Sequence, residues 1–299
     1  MADEPIHPEA GQASEKSASN PTWERVQVAR HPKRPHSSDY IARIFTAFSE
    51  LHGDRFFGDD AAVIGGFGLL DGAAVMAIGQ EKGRDTKQKL RRNFGMPKPE
   101  GYRKAMRLMR LADKFSRPIV TFLDTMGAYP GIDAEERGQA EAIAHNLREM
   151  SRLGVPVVTV VIGEGGSGGA LGLGIANRVY MLENAYYSVI SPESCAAIIY
   201  RDSGRAAEAA QSLRLTAQDL EGLGLIDGVI AEPPGGGAHV DPAQAAEAVK
   251  QVLQKALAEL APLTRQALVE DRYNKFRRMG NFFGEGQLGS GQWKEGRGA

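Results

Sequence analysis

The chain has 299 residues, 42% of them hydrophobic and 24% charged, which is a globular composition with enough apolar mass for a large core. Its 36 Lys and Arg nearly balance 37 Asp and Glu, so net charge argues neither for a polyanionic partner nor for an acidic tail. The single cysteine, Cys195, excludes an internal disulfide and a cysteine-rich zinc site within the chain.

The sequence has no apolar run long enough to span a bilayer, and its N-terminus lacks the basic and apolar stretches of a signal peptide. We therefore expect no membrane association, and the single cysteine fits a cytoplasmic protein. Residues 1–22 are polar and are expected to form a disordered tail, and the Gly-rich residues 281–299 a flexible one. Residues 23–280 remain as one folded domain.

Short apolar strands alternate with helical stretches through this domain. Asp71-Gly72 is a strong hairpin signal, and Ser191-Pro192 marks a helix start. In chain order, the predicted elements are strands over 62–70 and 73–80, a helix over 103–115, a strand over 118–123, a helix over 134–153, strands over 156–162, 178–182 and 187–190, helices from 191 and from 216, a strand over 225–230 and a long final helix from 241 to about 260. Such strand–helix units favour an α/β domain with parallel strands covered by helices.

The helix over 134–153 is predicted to be strongly amphipathic. Its charged residues are expected to face solvent, because an apolar stripe at helical spacing packs on a core. The expected apolar face consists of Ala140, Ile143, Ala144, Leu147 and Met150.

The most informative segment is VVTVVIGEGGSGGALGLG, residues 157–174, where a buried strand runs into a glycine-rich turn and a small-residue helix. Glycine lets the backbone adopt strained angles and approach a ligand closely. Gly168, Gly169 and Ala170 are expected where the helix begins, so their N–H groups lack intrahelical partners and suit an anion or a developing oxyanion. Tight strand–helix packing without a ligand explains these glycines equally well.

The same turn also matches the G-x-S-x-G elbow of serine hydrolases, with Ser167 as the nucleophile. A catalytic triad would need a later acid and histidine. His239 is the only histidine after Ser167 in the sequence, and Asp219 or Asp227 could supply the acid. Because a five-residue pattern arises easily by chance in a Gly-rich stretch, we regard the hydrolase interpretation as the weaker one.

A second segment, FLDTMGAYPGIDAEERGQ over residues 122–139, also places Gly, Pro and an aromatic residue after a buried strand. Ligands bind at the carboxyl ends of strands in open α/β sheets, so both glycine-rich loops could face one crevice. Asp124 could act in catalysis or equally cap the following turn.

A third segment, residues 82–114, contains 12 Lys or Arg against three acids. This basic segment could receive the phosphates of a nucleotide-like cofactor, a nucleic acid or an acidic partner protein. A solvated helix face is the simpler explanation. No interleaved aromatic residues mark it as a platform for stacking bases.

These segments, in this order, resemble the alpha subunit of the split bacterial acetyl-CoA carboxylase carboxyltransferase. The matching stretches are ARHPKRP (29–35), EKGRDTKQKLRRNFGMPKPEGYRKAMRLM (81–109), DTMGAYPGIDAEERGQAEAIAHNLREMSRLGVPV (124–157), IGEGGSGGAL (162–171), YSVISPESCAAI (187–198) and LIDGVI (225–230). Two positions depart from the family pattern: Met126 stands where proline is usual, and Ser194 where glycine is usual.

The resemblance implies a crotonase-like (ClpP/crotonase) α/β fold of stacked β-β-α units with flanking helices. It implies transfer of the carboxyl group of carboxybiotin to acetyl-CoA, giving malonyl-CoA in the first committed step of fatty acid synthesis. The implied partners are a zinc-ribbon beta subunit in an alpha2beta2 heterotetramer, the biotin carboxyl carrier protein and, in the wider ATP-binding complex, biotin carboxylase. Biotin would arrive on the carrier protein, and no metal is expected in this chain.

By the same resemblance, the backbone amides of Gly168 and Gly169 form the oxyanion hole for biotin. No side-chain base is then required. The further residues expected to bind substrate or cofactor are Gly165, Gly166, Ala170, Gly127, Ala128, Tyr129, Phe94, Gly95, Arg91 and Arg92.

Overall fold

The computed structural model describes residues 20–280 as one mixed sheet surrounded by helices. The strands are β1 (Thr46–Glu50), β2 (Val63–Leu70), β3 (Ala73–Gln80), β4 (Ile119–Thr125), β5 (Val157–Gly166), β6 (Arg178–Leu182), β7 (Tyr186–Ser188) and β8 (Gly228–Ile230). The helices are α1 (Pro21–Ala29), α2 (Ser37–Ile44), α3 (Thr86–Arg91), α4 (Pro99–Lys114), α5 (Ile132–Glu136), α6 (Gln139–Met150), α7 (Ser167–Leu171), α8 (Pro192–Ile199), α9 (Ala206–Leu213), α10 (Ala217–Gly222), α11 (Pro242–Leu260) and α12 (Arg265–Arg277).

The described residues do not cover the predicted tails fully. Residues 1–19 and 281–299 lie outside them. Helix α1 begins at Pro21, two residues before the predicted start of the folded domain. Within residues 20–280, no helix is both long and apolar enough to cross a membrane.

The sheet changes from antiparallel to parallel along its width. Its order is β1-β2-β3-β4-β5-β6-β8, with β1 to β3 antiparallel and β3 to β8 parallel. Strands β4 and β5 are buried along their whole lengths, which explains why each begins with mainly apolar residues. Because they are parallel neighbours, the two glycine-rich loops that follow them start from the same edge of the sheet.

The predicted hairpin is confirmed. Strands β2 and β3 pair over their full lengths from Val63 opposite Gln80 to Leu70 opposite Ala73. Asp71 and Gly72 both have left-handed backbone angles, with φ of 49° and 84°. Two successive positive φ values match the right-handed twist of the flanking strands, so the hairpin closes with two residues.

The prediction of one helix over 134–153 is wrong. The segment forms α5 and α6, separated at Gly138, whose φ is 81°. The buried face is also rotated, since Ala140 and Ala144 are exposed. Asn146 is fully buried instead, and its side-chain amide donates to the carbonyl oxygens of Tyr102 and Gly172, both at 3.0 Å. A buried polar group is tolerated when it is hydrogen-bonded in this way, which residue type alone does not reveal.

Helix α12 was not predicted, because its sequence is mostly polar and lacks an apolar stripe. It is anchored by Arg272, which is fully buried. The guanidinium donates to the carbonyl oxygens of Met150, the last residue of α6, and of Leu153 and Val155 just beyond it, at 2.8–3.1 Å. Carbonyl groups at a helix end lack intrahelical donors, so this arginine satisfies them from a distant part of the chain.

Candidate active site

The two glycine-rich loops lie directly against each other. A Cβ atom added to Gly169 would lie 2.3 Å from the carbonyl carbon of Gly127 and 2.4 Å from the nitrogen of Ala128. One added to Gly166 would lie 2.2 Å from the carbonyl oxygen of Met126. Real Cβ atoms do not approach backbone this closely, so glycine is required at both positions. Backbone therefore packs on backbone where the two loops meet.

The side chain of a buried glutamine forms hydrogen bonds with both loops. Gln80, at the end of β3, donates through Nε2 to the carbonyl oxygen of Gly169 at 2.8 Å. Its Oε1 accepts the N–H of Asp124 at 3.2 Å. The Tyr102 hydroxyl gives Gly169 a second hydrogen bond, at 3.2 Å. These contacts fix the first turn of α7, where the N–H groups of Gly168 and Gly169 have no intrahelical acceptor.

An apolar cavity of about 270 Å³ adjoins this turn. Its walls come from α7, β7, α10 and the end of α12, a helix the sequence analysis did not predict. The lining residues are Ser167, Gly168, Leu171, Gly174, Val179, Tyr187, Ser188, Val189, Leu220, Leu225, Phe276 and Met279. A largely apolar pocket with a few polar groups at one end is typical of sites for small organic ligands.

The structure offers no triad for Ser167. Its φ of 51° resembles a strained elbow, but His239 stacks on His31 with ring centroids 3.7 Å apart. No hydrogen bond within residues 20–280 joins Ser167 to a histidine. Asp219 caps α10 through Thr216, and Asp227 pairs with Lys275. The predicted histidine and both candidate acids are therefore engaged in contacts away from Ser167.

A cluster of buried charges lies behind the loops, centred on Lys82. The ammonium contacts Asp124 Oδ1 at 2.7 Å and Glu164 Oε1 at 2.6 Å. Arg30 Nε contacts the second oxygen of Glu164 at 2.7 Å, and Tyr186 donates its hydroxyl to the same oxygen. Asp124 Oδ1 also accepts the N–H of Glu164 at 3.0 Å. Asp124 thus ties the end of β4 to β5 and does not cap its own turn.

These charges are held in their ionised forms. Burial raises the pKa of Asp124, but Lys82 and His36 outweigh it and hold that pKa below its usual range. Burial likewise opposes ionisation of Glu164, but Lys82 and Arg30 lower its pKa. A general base works best with a pKa near the operating pH. Neither carboxylate meets that condition, and their contacts with Lys82 and between β4 and β5 give the cluster a positioning role.

Phe94 and Gly95 lie beside this cluster. They belong to a short 3₁₀ turn over Asn93–Gly95, in which Phe94 is left-handed and 43% exposed. Phe94 shares a cavity of about 190 Å³ with Lys82 and Met126. A Cβ atom on Gly95 would lie 2.6 Å from Lys82 Cγ, so Gly95 packs directly on that side chain.

The other predicted site residues lie at several different places in the fold. Gly165 and Gly166 belong to strand β5 and pair with β7, and Ala170 is fully buried. The backbone N–H of Tyr129 donates to the carbonyl oxygen of Pro97, and its carbonyl oxygen accepts the side-chain amide of Gln139. The two arginines differ: Arg91 is exposed at the end of α3, and Arg92 donates to the carbonyl oxygen of Ala61. Gly127 and Ala128 are the residues brought against Gly169.

The basic segment does not form one continuous charged surface. Five of its side chains are paired with carboxylates, which reduces the charge available to a nucleic acid. They are Lys82, Arg84, Lys98, Lys104 and Arg110. Across the part of the chain that is described, no three His, Cys, Asp or Glu side chains are grouped so that they could hold a metal ion.

Sequence comparison places the chain among known proteins. Residues 8–280 match the family described as "Acetyl co-enzyme A carboxylase carboxyltransferase-like". The chain is 59% identical over 260 residues to the acetyl-coenzyme A carboxylase carboxyl transferase subunit alpha of Thermus thermophilus, covering 87% of this chain and 83% of that protein. It is also 59% identical to the subunit of the same name from Aquifex aeolicus, covering 87% and 80% of the two chains.

Solved structures share the fold at low sequence identity. Transcarboxylase 12S, solved with methylmalonyl-coenzyme A and methylmalonic acid, matches with a TM-score of 0.62 at 20% identity over 82% of this chain. This chain spans 46% of that one. A Pseudomonas malonate decarboxylase hetero-tetramer in complex with coenzyme A matches with a TM-score of 0.63 at 18% identity, covering 81% and 95% of the two chains. The predicted crotonase-like fold is confirmed. The chain belongs to the family of acetyl-CoA carboxylase carboxyltransferase alpha subunits.

Proposed function

We propose that this chain is the half of a split carboxyltransferase that receives carboxybiotin from a carrier protein, while a beta subunit holds most of acetyl-CoA. The product would be malonyl-CoA, for fatty acid synthesis in the cytoplasm. The observation that carries the proposal is the contact of Gly169 with Gly127 and Ala128, because it presents backbone rather than reactive side chains at the site. Family membership supplies the reaction class.

The cavity beside Gly168 fits the ring system of biotin in its chemistry. Its walls are mainly apolar, and Ser167 and Ser188 supply hydroxyl groups on the side of α7 and β7. An apolar wall suits the hydrocarbon and thioether parts of a bicyclic ligand, and a few polar groups suffice to orient it. A largely apolar wall also limits the water that could reach the reacting group.

The amides of Gly168 and Gly169 would stabilise charge that appears only during reaction. When bound, carboxybiotin would supply the carboxyl group, and the two amides would hold its ureido oxygen, where negative charge would develop as that group is released. A preorganised donor at such an oxygen is worth about 3 kcal/mol of barrier. The charge on the thioester oxygen of acetyl-CoA requires a second set of donors, which we assign to the beta subunit.

The purified chain is therefore expected to lack carboxyltransferase activity by itself. Malonyl-CoA decarboxylation should appear when a beta subunit is added and should rise until the two chains are equimolar, because each site needs donors from both. Beta subunit without this chain is the control. If the isolated chain turned over malonyl-CoA at a rate that the beta subunit did not increase, the assignment of one set of donors to each subunit would be wrong.

The exposed Arg91 gives a second prediction, which concerns coenzyme A. If its charge meets coenzyme A phosphates across the subunit interface, Arg91→Glu should raise the KM for acyl-CoA about tenfold with little change in kcat. Arg92 is a poorer choice because its substitution also removes the hydrogen bond to Ala61. Arg117→Glu, a charge reversal at another exposed arginine, is the control. An unchanged KM would assign Arg91 to a solvated surface.

A further inference from the structure

A groove of about 520 Å³ lies on the outer side of α4, between that helix, α6 and the loop before β2. None of the glycine-rich loop residues lines it. Its side chains include four arginines and two carboxylates. Three of the arginines, Arg103, Arg107 and Arg110, follow one another on a single face of α4, where residues three and four apart are neighbours.

Three of the four arginines have no ion pair among residues 20–280, although the two carboxylates of the groove, Asp54 and Glu141, offset part of the charge. Arg110 is paired with Glu149 at 2.9 Å. Arg55, Arg103 and Arg107 have no ion pair with any carboxylate of residues 20–280. Arg103 donates to the carbonyl oxygen of Arg137, and Arg107 donates to backbone oxygens of the loop before β2. Burial and the charge of Arg55 lower the pKa of Arg107, and the nearby carboxylates of Asp59 and Asp54 offset only part of that effect. The positive charges of neighbouring arginines repel each other, so a negatively charged ligand in the groove would relieve this repulsion.

Two buried polar atoms of the groove have no hydrogen-bond partner. One is a donor, Arg103 Nη1, and the other is an acceptor, Asp54 Oδ2. The other oxygen of Asp54 accepts the backbone N–H groups of Phe56, Phe57 and Gly58 at 2.8–3.0 Å. A buried polar atom without a partner destabilises the fold, so a ligand that satisfied both atoms would gain affinity.

We propose that this groove binds a phosphate group that carries one proton. Guanidinium groups match the geometry and charge of phosphate oxygens, which Arg55, Arg103 and Arg107 would contact. The P–OH group would donate to Asp54 Oδ2. Sulfate has no proton to donate near neutral pH, so the same oxygen would repel it.

Entry to the groove requires only a surface movement. The ring of Phe56 lies over the Arg103 guanidinium, 5.1 Å from its carbon to the ring centroid, and Phe56 is 83% exposed. A ring that is so exposed makes few packing contacts, so a ligand can displace it at small cost. The proposal does not depend on carboxyltransferase activity, because none of these residues belongs to the glycine-rich loops.

Calorimetric titration of the full-length chain at constant ionic strength and pH 7 tests the proposal. Inorganic phosphate should bind saturably at one site, and sulfate at least tenfold more weakly. Arg103→Gln and Arg107→Gln should each weaken phosphate binding at least tenfold. Arg117→Gln, which removes an arginine charge outside the groove, should leave binding unchanged. Glycerol phosphate, titrated in parallel, distinguishes an organic phosphate ligand from the free ion by which of the two binds more tightly.

Asp54→Asn is the most selective variant. It keeps an oxygen for the three backbone N–H groups and replaces the unpartnered acceptor by an amide donor. We expect it to fold, as melting temperature will verify, and to bind sulfate at least as tightly as phosphate. Absence of saturable phosphate binding to the wild-type chain, equal affinity for sulfate, or unaltered binding by both arginine variants would overturn the proposal.

Discussion

Replacing Gly169 by valine should lower kcat at least a hundredfold in the assembled complex, comparable to the loss of an oxyanion donor. The first atom of the new side chain would lie 2.3 Å from the carbonyl carbon of Gly127 and 2.4 Å from the nitrogen of Ala128. Backbone cannot yield as a flexible side chain can, so one loop must move. A β-branched residue is also restricted in χ1, which leaves it few ways to avoid the contact. The movement would carry the amide donors away from the ligand.

Two neighbouring variants provide the comparison. A Cβ atom on Gly168 would meet only Ile143 Cγ2, at 4.0 Å, so Gly168→Ala keeps both amides and should lose much less activity than Gly169→Val. Ser167→Ala should retain most activity because no nucleophilic hydroxyl takes part, whereas a serine hydrolase would lose all of it. Gel filtration must show that each complex is assembled. An assembled Gly169→Val complex with normal kcat would remove this residue from the oxyanion hole.

Replacing Lys82 by methionine should strongly lower the stability of the fold. Without the ammonium, Asp124 and Glu164 remain buried near each other, and removing one partner of a buried ionic cluster costs about 3–5 kcal/mol. For a domain of this size, the melting temperature should fall by about 6–20 °C. Lys82→Met with Asp124→Asn should recover part of the loss, because the amide oxygen can still accept the N–H of Glu164. A melting temperature within 2 °C of wild type, about the effect of 1 kcal/mol or less, would contradict the cluster's structural role.

The same cluster predicts how stability depends on pH. The folded-state pKa values of Asp124 and Glu164 are lowered, so their pairing stabilises the fold fully only above the unfolded-state values, near pH 4. That stability is lost as pH falls through the lowered values. When the pH falls below about 4, the free energy of unfolding should therefore decrease more for the wild-type chain than for the Lys82→Met variant. Denaturant titrations at several pH values would measure both decreases.

Much of the fold could be predicted because several elements carry local signals. Strands β4 and β5 are buried on both faces, and each therefore begins with a run of mainly apolar residues. The Asp71-Gly72 turn and the caps at Ser191 and Thr216 depend on nearby backbone atoms, and all appear where the sequence indicates. The position of the two glycine-rich loops at one sheet edge follows from the same strands.

The elements that could not be predicted depend on distant contacts. Gln80, Asp124 and Glu164 are about 40 residues apart in sequence, and their charges or amides would ordinarily indicate exposed positions. Gly163 is explained only by the structure. A Cβ atom there would lie 2.4 Å from Asp124 Oδ1, so the glycine leaves space for the carboxylate. Helix α12 was missed for a similar reason, because it is held by the buried Arg272 and not by an apolar face.

The most direct test of the account is to remove the Gly169 N–H alone. Incorporating glycolic acid at position 169 converts the peptide bond between residues 168 and 169 to an ester, which deletes the donor and adds no side chain. The rate of carboxyl transfer from the carboxybiotinylated carrier protein to acetyl-CoA would then be measured in the assembled complex. We predict a kcat lower by about 10²–10³, as for other oxyanion-hole donors, with assembly unchanged. A kcat equal to that of the wild-type complex would contradict the assignment of this amide to catalysis.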